Sequence, residues 1–475
     1  MRSGSRILGA LLVPLIALVF LWLANSRPGY FTNVTYLGGL MLLEVVIVAV
    51  WHYEKIFFLI MMLAFLWGGS SLPLVGAGEV GRWVFLIVGA AVGLFRWLDR
   101  DRRQPLGSLH LTAGLCVLSA VVSGVVSART ELSLLKTTSL FFLFLYGSCG
   151  ARVAVAGREA TFFRGLLTAS EVVAYVCVFF YFVLRFAVLG NPNSLGAVMG
   201  VAVIPLLVWG TLVADERQIK HRRIVALCLA TLLLVSSASR AGILACAFSV
   251  TVTCIALRRG TLLLKGLMVV VFLVAGLAVI QPDQFDSLVS TATETILFKG
   301  KPEQGLLGSR KDPWQDTVDV IKESPWFGSG FGTDRMQTRY QTDSMIRTLE
   351  GNSREHGSSY LGLLQYLGLL GIVPFVILLA LVSLQAYRVC RWMWRSGSPY
   401  GYAVPLTMVC LAGLVHAAFE DWLFAVGYYL SVFFWTCVFL LFDLQPRPAR
   451  QPVVVQRTWV TSQVHPSQVA VSAHR

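Results

Sequence analysis

Charged side chains are scarce in this sequence of 475 residues. Aspartate, glutamate, lysine and arginine make up 13% of it, whereas ordinary soluble domains contain roughly 25%. Hydrophobic residues make up 56% of the chain. A soluble globule has too little interior to bury that much apolar surface, and a disordered chain needs the opposite composition. The composition therefore excludes a soluble cytosolic enzyme and an intrinsically disordered protein.

Patterns that would hold a disulfide or a metal ion are also missing. All nine cysteines lie in or beside hydrophobic runs, where a cysteine typically acts as a small buried hydrophobe. The long polar segment contains no cysteine, no Asp-x-Asp pair and no other spacing typical of metal ligands. We therefore expect no disulfide framework, no zinc site and no catalytic metal there.

Long apolar runs are abundant, and they determine the predicted class. A membrane helix needs about 20 apolar residues, whereas an outer-membrane barrel would alternate apolar and polar positions. The continuous runs predict an all-α polytopic membrane protein with about 12 to 14 transmembrane helices, the first of them an uncleaved span. We place the spans at 7–25, 35–50, 56–75, 81–98, 109–127, 133–151, 162–187, 194–213, 223–238, 241–257, 261–280, 357–387, 401–419 and 422–442.

The distribution of lysine and arginine predicts the orientation of these helices. With the N-terminus inside, the short cytoplasmic connections hold twenty of these residues and the short outer connections hold six. This asymmetry is the positive-inside pattern. Topology and attraction to an anionic inner leaflet therefore account for the net charge of +14, and nucleic acid is not an expected partner. The six outer residues are Arg27, Arg82, Arg129, Lys136, Arg185 and Arg240.

One polar segment divides the chain. We predict membrane helices 1 to 11 in residues 1–281, a large extracytoplasmic loop in 282–356, C-terminal membrane helices in 357–443 and a flexible cytoplasmic tail in 444–475. From Gln281 to Glu355 the chain carries nine basic and twelve acidic residues, and loops of this length are usually lids or binding elements. A short amphipathic helix is predicted from Asp316 to Glu323, with Trp314, Val318 and Ile321 on one face.

Arg240 is the first candidate for chemistry. It lies in the sequence SSASRAG, between two apolar runs at the predicted outer end. One interpretation is that its side chain extends to the outer lipid headgroups. The other is an anion site, because the small neighbours, Ser239 among them, leave space and backbone donors beside a guanidinium that suits a diphosphate.

Two segments of the polar loop offer further candidates. Arg310 and Lys311 precede a helix predicted to start near Pro313, and a helix N-terminus beside an arginine can bind an anion. Ordinary solvated loop charge is the competing interpretation. In PWFGSGFGT, residues 325–333, Gly328 and Gly330 are expected to allow tight turns under a lipid or sugar.

Histidine and acidic residues mark the ends of the loop and of the last spans. His356 lies where the loop meets the next apolar helix, and it is either a proton acceptor near neutral pH or a capping residue. His416, Glu420 and Asp421 form a second outer cluster, with His416 and Glu420 predicted to share a helical face. Interfacial polar anchoring is the favoured interpretation, and a functional cluster is the other. Glu44 and Glu171 lie inside predicted spans and are expected to pair internally.

Together these elements resemble the O-antigen ligase and O-antigen polymerase superfamily of bacterial membrane glycosyltransferases. The matching features, in order, are NPN at 191–193, SRAG at 239–242, Arg310 with Trp314 at Arg-x-x-x-Trp spacing, PWFGSGFG at 325–332 and HGSSYLGLLQYLGLLG at 356–371. The resemblance covers roughly residues 185–375. The family often has asparagine directly after the histidine, whereas this chain has Gly357.

The resemblance implies a fold of the lipid-sugar-dependent (GT-C-like) glycosyltransferase type in the bacterial inner membrane, with its active site facing the periplasm. It implies a glycan donor on undecaprenyl diphosphate, bound by Arg240 and Arg310, with His356 in catalysis. Asn193, Ser239, Trp314, Gly328, Gly330 and Glu420 are expected as supporting residues. Such a reaction would invert the anomeric carbon, and we expect it to need no metal and no cofactor.

Several substrates and one other function remain open at this stage. The acceptor is another lipid-linked repeat, a lipid A core or a protein hydroxyl, and we favour the first, which makes the enzyme a polymerase. The lipid bilayer and other proteins of envelope polysaccharide assembly are expected partners. The alternative function is a transporter or flippase for polysaccharide lipids. Transporters usually show paired halves with broken helices, and the sequence has no evident half-to-half symmetry.

Overall fold

The computed structural model describes four segments of the chain. They are residues 54–98, 106–261, 308–333 and 356–445, without positions 74 and 187, and single positions 25, 47, 263, 264 and 268 add to them. The predicted spans at 7–25, 35–50 and 261–280 lie almost wholly outside the described residues. So do most of the predicted outer loop, Glu44 and the predicted tail.

Every regular element in this described part is helical, which confirms the predicted all-α fold. The helices are α1 Glu54–Gly68, α2 Val75–Leu98, α3 Ser108–Val126, α4 Thr130–Val155, α5 Glu159–Val183, α6 Pro192–Leu212, α7 Arg217–Ser236, α8 Arg240–Ala256, α9 Gly308–Glu323, α10 Ser359–Gly371, α11 Val373–Ser396, α12 Ala403–His416 and α13 Tyr429–Asp443.

Six of these helices are long and apolar enough to cross a membrane, and four shorter ones are apolar. The six are α3, α4, α5, α6, α11 and the part of α2 from Gly78 to Leu98. The four are α8, α12, α13 and the part of α1 from Ile56 to Gly68. These helices confirm a polytopic membrane protein, and the total of 12 to 14 spans stays a prediction.

The centre of the bundle is α13. Its residues from Tyr429 to Leu441 are all buried, as expected for a helix that is apolar on every side and packed inside others. The Trp435 indole N–H donates to the carbonyl of Leu423, 2.7 Å away. This contact joins the central helix to the connection between α12 and α13, which contains residues of the site described below.

Ion pairs hold helices together at the end of the bundle predicted to face the cytoplasm. Arg152 Nε lies 2.5 Å from Asp443 Oδ2. Glu171 pairs with Arg222 at 2.6 Å and Arg223 at 3.5 Å. This confirms the internal pairing predicted for Glu171, because a carboxylate in an apolar bundle is stabilised by nearby cations.

Two predicted spans have different bounds in the structure. The span predicted at 357–387 is broken into α10 and α11, because Gly368 has φ 65° and ψ −176°. A Cβ there would lie only 2.4 Å from the carbonyl carbon of Trp326, so the break lets the loop backbone approach closely. The span predicted at 422–442 begins at Tyr429 instead, and residues 417–428 form a connection.

Helix α9 also differs from the prediction. It begins at Gly308 rather than near Pro313 or Asp316, so Arg310 lies in its first turn. Val318 is exposed, whereas Thr317 and Val320 are buried. The predicted apolar face was therefore wrong at Val318, because α9 packs through the face that carries Thr317 and Val320.

Candidate functional site

Polar side chains from separate parts of the chain meet at the end of the bundle that carries residues 308–333, here called the loop end. They come from the start of α8, the first turns of α9, residues 356–359 before and at the start of α10, and the 417–428 connection. Charged groups in this cluster are partly buried. Such clusters in membrane proteins are typical of functional sites.

His356 is the most deeply buried member of the cluster, with an exposed fraction of 0%. Its Nδ1 lies 2.6 Å from Asp421 Oδ2, and Tyr366 Oη lies 3.4 Å from the same nitrogen. A carboxylate accepts hydrogen bonds, so Nδ1 is the donor in this contact. Nε2 is buried without a hydrogen-bond partner among the described residues. The ring therefore contacts Asp421 through Nδ1, and Nε2 is the nitrogen left for another partner.

Two arginines meet beside this pair. The Arg310 guanidinium forms an ion pair with the Glu420 carboxylate, and the positive charges of Arg310 and Arg240 are close enough to repel each other. Arg240 is the first residue of α8, whose N-terminus is capped by Ser239 Oγ accepting from the Gly242 N–H at 3.3 Å. Two guanidinium groups near one another are chemically suited to binding an anion.

Gly357 explains how α9 is attached to the histidine segment. Trp314 Nε1 donates to the Gly357 carbonyl at 3.1 Å. Gly357 has φ 65°, a left-handed conformation that glycine adopts freely and asparagine tolerates best among other residues. The asparagine of the family pattern and the glycine of this chain therefore suit the same backbone conformation.

Ser359 holds the 417–428 connection in position. Its hydroxyl donates to the Glu420 carbonyl at 2.7 Å and accepts from the backbone N–H groups of Trp422 at 3.0 Å and Leu423 at 3.1 Å. The backbone groups in these bonds belong to the residues on both sides of Asp421. These bonds fix the backbone that carries both carboxylates of the site.

We expect Ser359→Ala to destabilise the protein by about 1–3 kcal/mol, because two buried N–H groups lose their acceptor. Thermal unfolding in detergent measures the effect. Ser383→Ala is the matched control, since that exposed hydroxyl bonds only the Leu379 carbonyl of its own helix. Equal unfolding temperatures for the two variants would contradict the role given to Ser359.

Residues 224–376 match the O-antigen ligase family. This stretch is similar to O-antigen ligase domains. The matched range includes Arg240, Arg310 and His356, and the domain implies a glycosyltransferase-like ligase activity within a membrane. A search of curated proteins finds no match.

Outside the matched range, the polar cluster at the loop end also involves Lys136, which was not predicted as a site residue. Its Nζ donates to the Gly332 carbonyl at 2.5 Å, and its charge is close enough to Asp421 to attract it. The sequence places Lys136 on the predicted outer side, but no local sequence pattern in α4 relates it to Gly332 or Asp421. Asp421 was predicted only as a member of an outer cluster with His416 and Glu420, and its contact with His356 was not predicted.

The NPN motif lies beside the 417–428 connection, near two tyrosines. Asn191, not Asn193, caps α6, with its Oδ1 accepting from the Ser194 N–H at 2.8 Å. The Ser194 side chain hydrogen-bonds with Tyr428 and Tyr429. Burial raises the pKa of the Tyr428 phenol above its ordinary value, so this hydroxyl stays protonated at neutral pH.

The structure thus brings some predicted residues together and separates others. Arg240, Arg310, Trp314, His356 and Glu420 meet in one cluster. The remaining predicted residues lie around it: Ser239 as a helix cap, Asn193 at the start of α6, and Gly328 and Gly330 in the turn after α9.

The predicted helical face shared by His416 and Glu420 is wrong. Helix α12 ends at His416, so Glu420 lies in the connection and pairs with Arg310 instead. His416 Nδ1 accepts from Trp422 Nε1 at 2.8 Å in the buried interior. Among the residues with described positions, no three His, Cys, Asp or Glu side chains could hold a metal ion together; metal independence of the reaction stays a prediction.

Proposed function

We propose that this protein transfers a glycan from a polyprenyl diphosphate carrier to an acceptor hydroxyl at the outer face of the bacterial cytoplasmic membrane. The carrier expected from the family resemblance is undecaprenyl diphosphate. The observation that supports the proposal is the meeting of a buried His–Asp pair with two arginines at the loop end. A base and an anion site are the two groups this reaction needs.

The arginines would bind the diphosphate of the donor. Negative charge grows on that diphosphate as the glycosidic C1–O bond breaks, and fixed cations in a partly buried site stabilise it. Arg310 is already paired with Glu420. Its guanidinium has five N–H donors, so Glu420 can hold one edge of the group in place while phosphate oxygens bind another.

His356 would accept the proton of the acceptor hydroxyl. The hydroxyl oxygen forms a bond to C1 as the bond from C1 to the diphosphate oxygen breaks, and the electron pair leaves with the diphosphate. The hydroxyl proton passes to Nε2, the nitrogen opposite the Asp421 contact. Asp421 then stabilises the imidazolium. Attack from the side opposite the leaving group inverts the configuration at C1.

Asp421 has two partners in this scheme, His356 and Lys136. It accepts from His356 on one side, and the charge of Lys136 attracts it on the other. The contact with Asp421 fixes the orientation of the His356 ring. We assign Lys136 and Ser359 to positioning, since each acts through the residues that would meet the substrates.

The acceptor decides between polymerase, ligase and protein oligosaccharyltransferase. We favour a second lipid-linked repeat, which makes the protein a polymerase of a cell-envelope polysaccharide. The test uses purified protein in detergent with an undecaprenyl-diphosphate-linked glycan and, in separate reactions, a second lipid-linked glycan, a lipid A core or an acceptor peptide. EDTA is present in one series of reactions and absent in a matched series.

Transfer to one acceptor, with release of undecaprenyl diphosphate and no effect of EDTA, is the expected result. Loss of activity with EDTA that added metal restores would contradict metal independence while leaving the transferase function intact. Movement of the lipid-linked glycan across liposomes, with no transfer to any of the three acceptors, would contradict the transferase and favour a flippase.

A further inference from the structure

The segment after α9, residues 325–333, is here called the glycine-rich turn. Its side chains face two different surroundings. Ser329, Phe331 and Thr333 are buried, whereas Trp326 is 59% exposed and Phe327 is 43% exposed. Two adjacent exposed aromatic side chains on a loop need an explanation, because large exposed apolar patches typically mark a contact with a partner or with lipid.

The depth of the turn follows from its contacts with α3. Ser123 Oγ donates to the Phe327 carbonyl at 2.9 Å. Helix α3 has 19 residues and is therefore about 28 Å long at 1.5 Å per residue, close to the roughly 30 Å of a hydrocarbon core. Ser123 lies three residues before the last helical residue, Val126. The Phe327 backbone thus lies about 5 Å inside the end of this membrane span.

The surface on both sides of the aromatic pair is apolar and exposed. On one side is the outward face of α3, and on the other is the junction of α10 and α11. At this junction the Leu369 N–H donates to the Pro325 carbonyl at 2.8 Å, and the Leu370 N–H donates to the Trp326 carbonyl at 3.1 Å. The pair therefore continues the surface that the membrane helices present to lipid. The exposed apolar residues of this surface include Leu118, Val122, Val125, Val126, Leu369, Leu370, Val373 and Val376.

The backbone of the turn is suited to this depth. Non-helical backbone at membrane depth is tolerated only where protein groups satisfy its hydrogen bonds. Three serine hydroxyls donate to three carbonyls of the turn. Ser123 of α3 bonds Phe327, and Ser127, which follows α3, bonds Ser329 at 2.8 Å. Ser133 of α4 bonds Phe331 at 3.0 Å.

Gly330 shows why glycine is needed in the turn. It has φ 104°, and a Cβ on it would lie 2.2 Å from Ser127 Oγ. Only glycine allows this backbone to approach the serine that bonds it. The close fit keeps the turn against α3 and leaves Trp326 and Phe327 on the outward side.

From these observations we propose that Trp326 and Phe327 insert into the lipid leaflet at the loop end and anchor the glycine-rich turn there. Aromatic side chains of this kind favour the region where acyl chains meet headgroups. The occupant of the patch is bilayer lipid, since the patch joins lipid-facing helix surfaces on two sides. Helix α9, which carries Arg310, ends directly before this turn and is thereby held at the membrane surface.

The test measures the surroundings of residue 326 by electron paramagnetic resonance and does not depend on glycan transfer. A nitroxide is attached to Trp326→Cys in nanodiscs of phosphatidylethanolamine and phosphatidylglycerol. Reference labels are placed at Val125→Cys on the lipid-facing side of α3 and at Asp319→Cys on α9, both exposed positions. All carry Cys228→Ser, because Cys228 is an exposed native cysteine, and unsubstituted Cys228→Ser protein gives the background.

We expect the label at residue 326 to collide with oxygen as frequently as the label at 125, and several-fold less with a water-soluble nickel chelate than the label at 319. Phe327→Cys is a second probe and should give the same pattern. Chelate accessibility equal to that of residue 319 at both probes would overturn the proposal. Low accessibility to both oxygen and chelate would also overturn it, since that pattern marks contact with protein.

Discussion

Replacing His356 with alanine is expected to lower the rate of glycan transfer by about 10²–10⁴-fold, the range typical of a general base. The reason is geometric: Nδ1 is held by Asp421 at 2.6 Å, which leaves Nε2 to take the proton of the acceptor hydroxyl. Initial rates at saturating donor and acceptor measure this effect. Donor affinity should change little, because His356 is not assigned to the diphosphate.

Two further variants make this result specific. Asp421→Asn keeps the size of the side chain but removes its charge, so it should also slow transfer, through loss of imidazolium stabilisation. His221→Ala is the matched control, because that histidine is exposed at the start of α7 and belongs to no part of the site. If His356→Ala retained a rate within a few-fold of the His221→Ala rate, proton transfer would not limit the reaction and the histidine would have no catalytic role.

Replacing Arg310 with alanine is expected to lower the transfer rate by about 10²–10³-fold, the usual effect of removing one group that stabilises transition-state charge. Arg240→Ala should act in the same direction, since the two cations are close neighbours. Arg310→Lys keeps the charge but loses bidentate geometry, so it should recover only part of the rate.

The neighbour of Arg310 provides a close control. Lys311 is exposed on the same turn of α9, and Lys311→Ala removes one positive charge without touching the cluster. Its rate should stay close to that of the unchanged protein. Equal losses in Lys311→Ala and Arg310→Ala would mean that the general positive charge of the loop matters and that no specific diphosphate site exists at Arg310.

The sequence predicted the fold class correctly because hydrophobicity is a local signal. Runs of apolar residues indicate membrane helices without knowledge of their neighbours. The pairing of Glu171 was predictable for the same reason, since an acid at membrane depth needs a partner. Arg240, Arg310 and His356 were singled out by residue type and motif order, and the structure places all three at one end of the bundle.

The errors came from contacts between distant parts of the chain. The face assigned to His416 and Glu420 assumed that α12 continues, but the helix ends at His416 and the chain turns to meet Ser359. The break at Gly368 depends on the loop backbone at Trp326, about 40 residues away. Neither contact leaves a periodic pattern in the local sequence, so pattern-based reasoning had no means of finding it.

The burial of α13 on every side has a consequence for how the molecule is assembled. Among the described helices α13 is the last in the chain, so it leaves the ribosome after its neighbours. It must then enter a space that the earlier helices already border. The 417–428 connection, with Asp421 and Glu420, cannot settle against Ser359 until that entry is complete. The His356–Asp421 pair therefore forms only after α13 has packed against its neighbours.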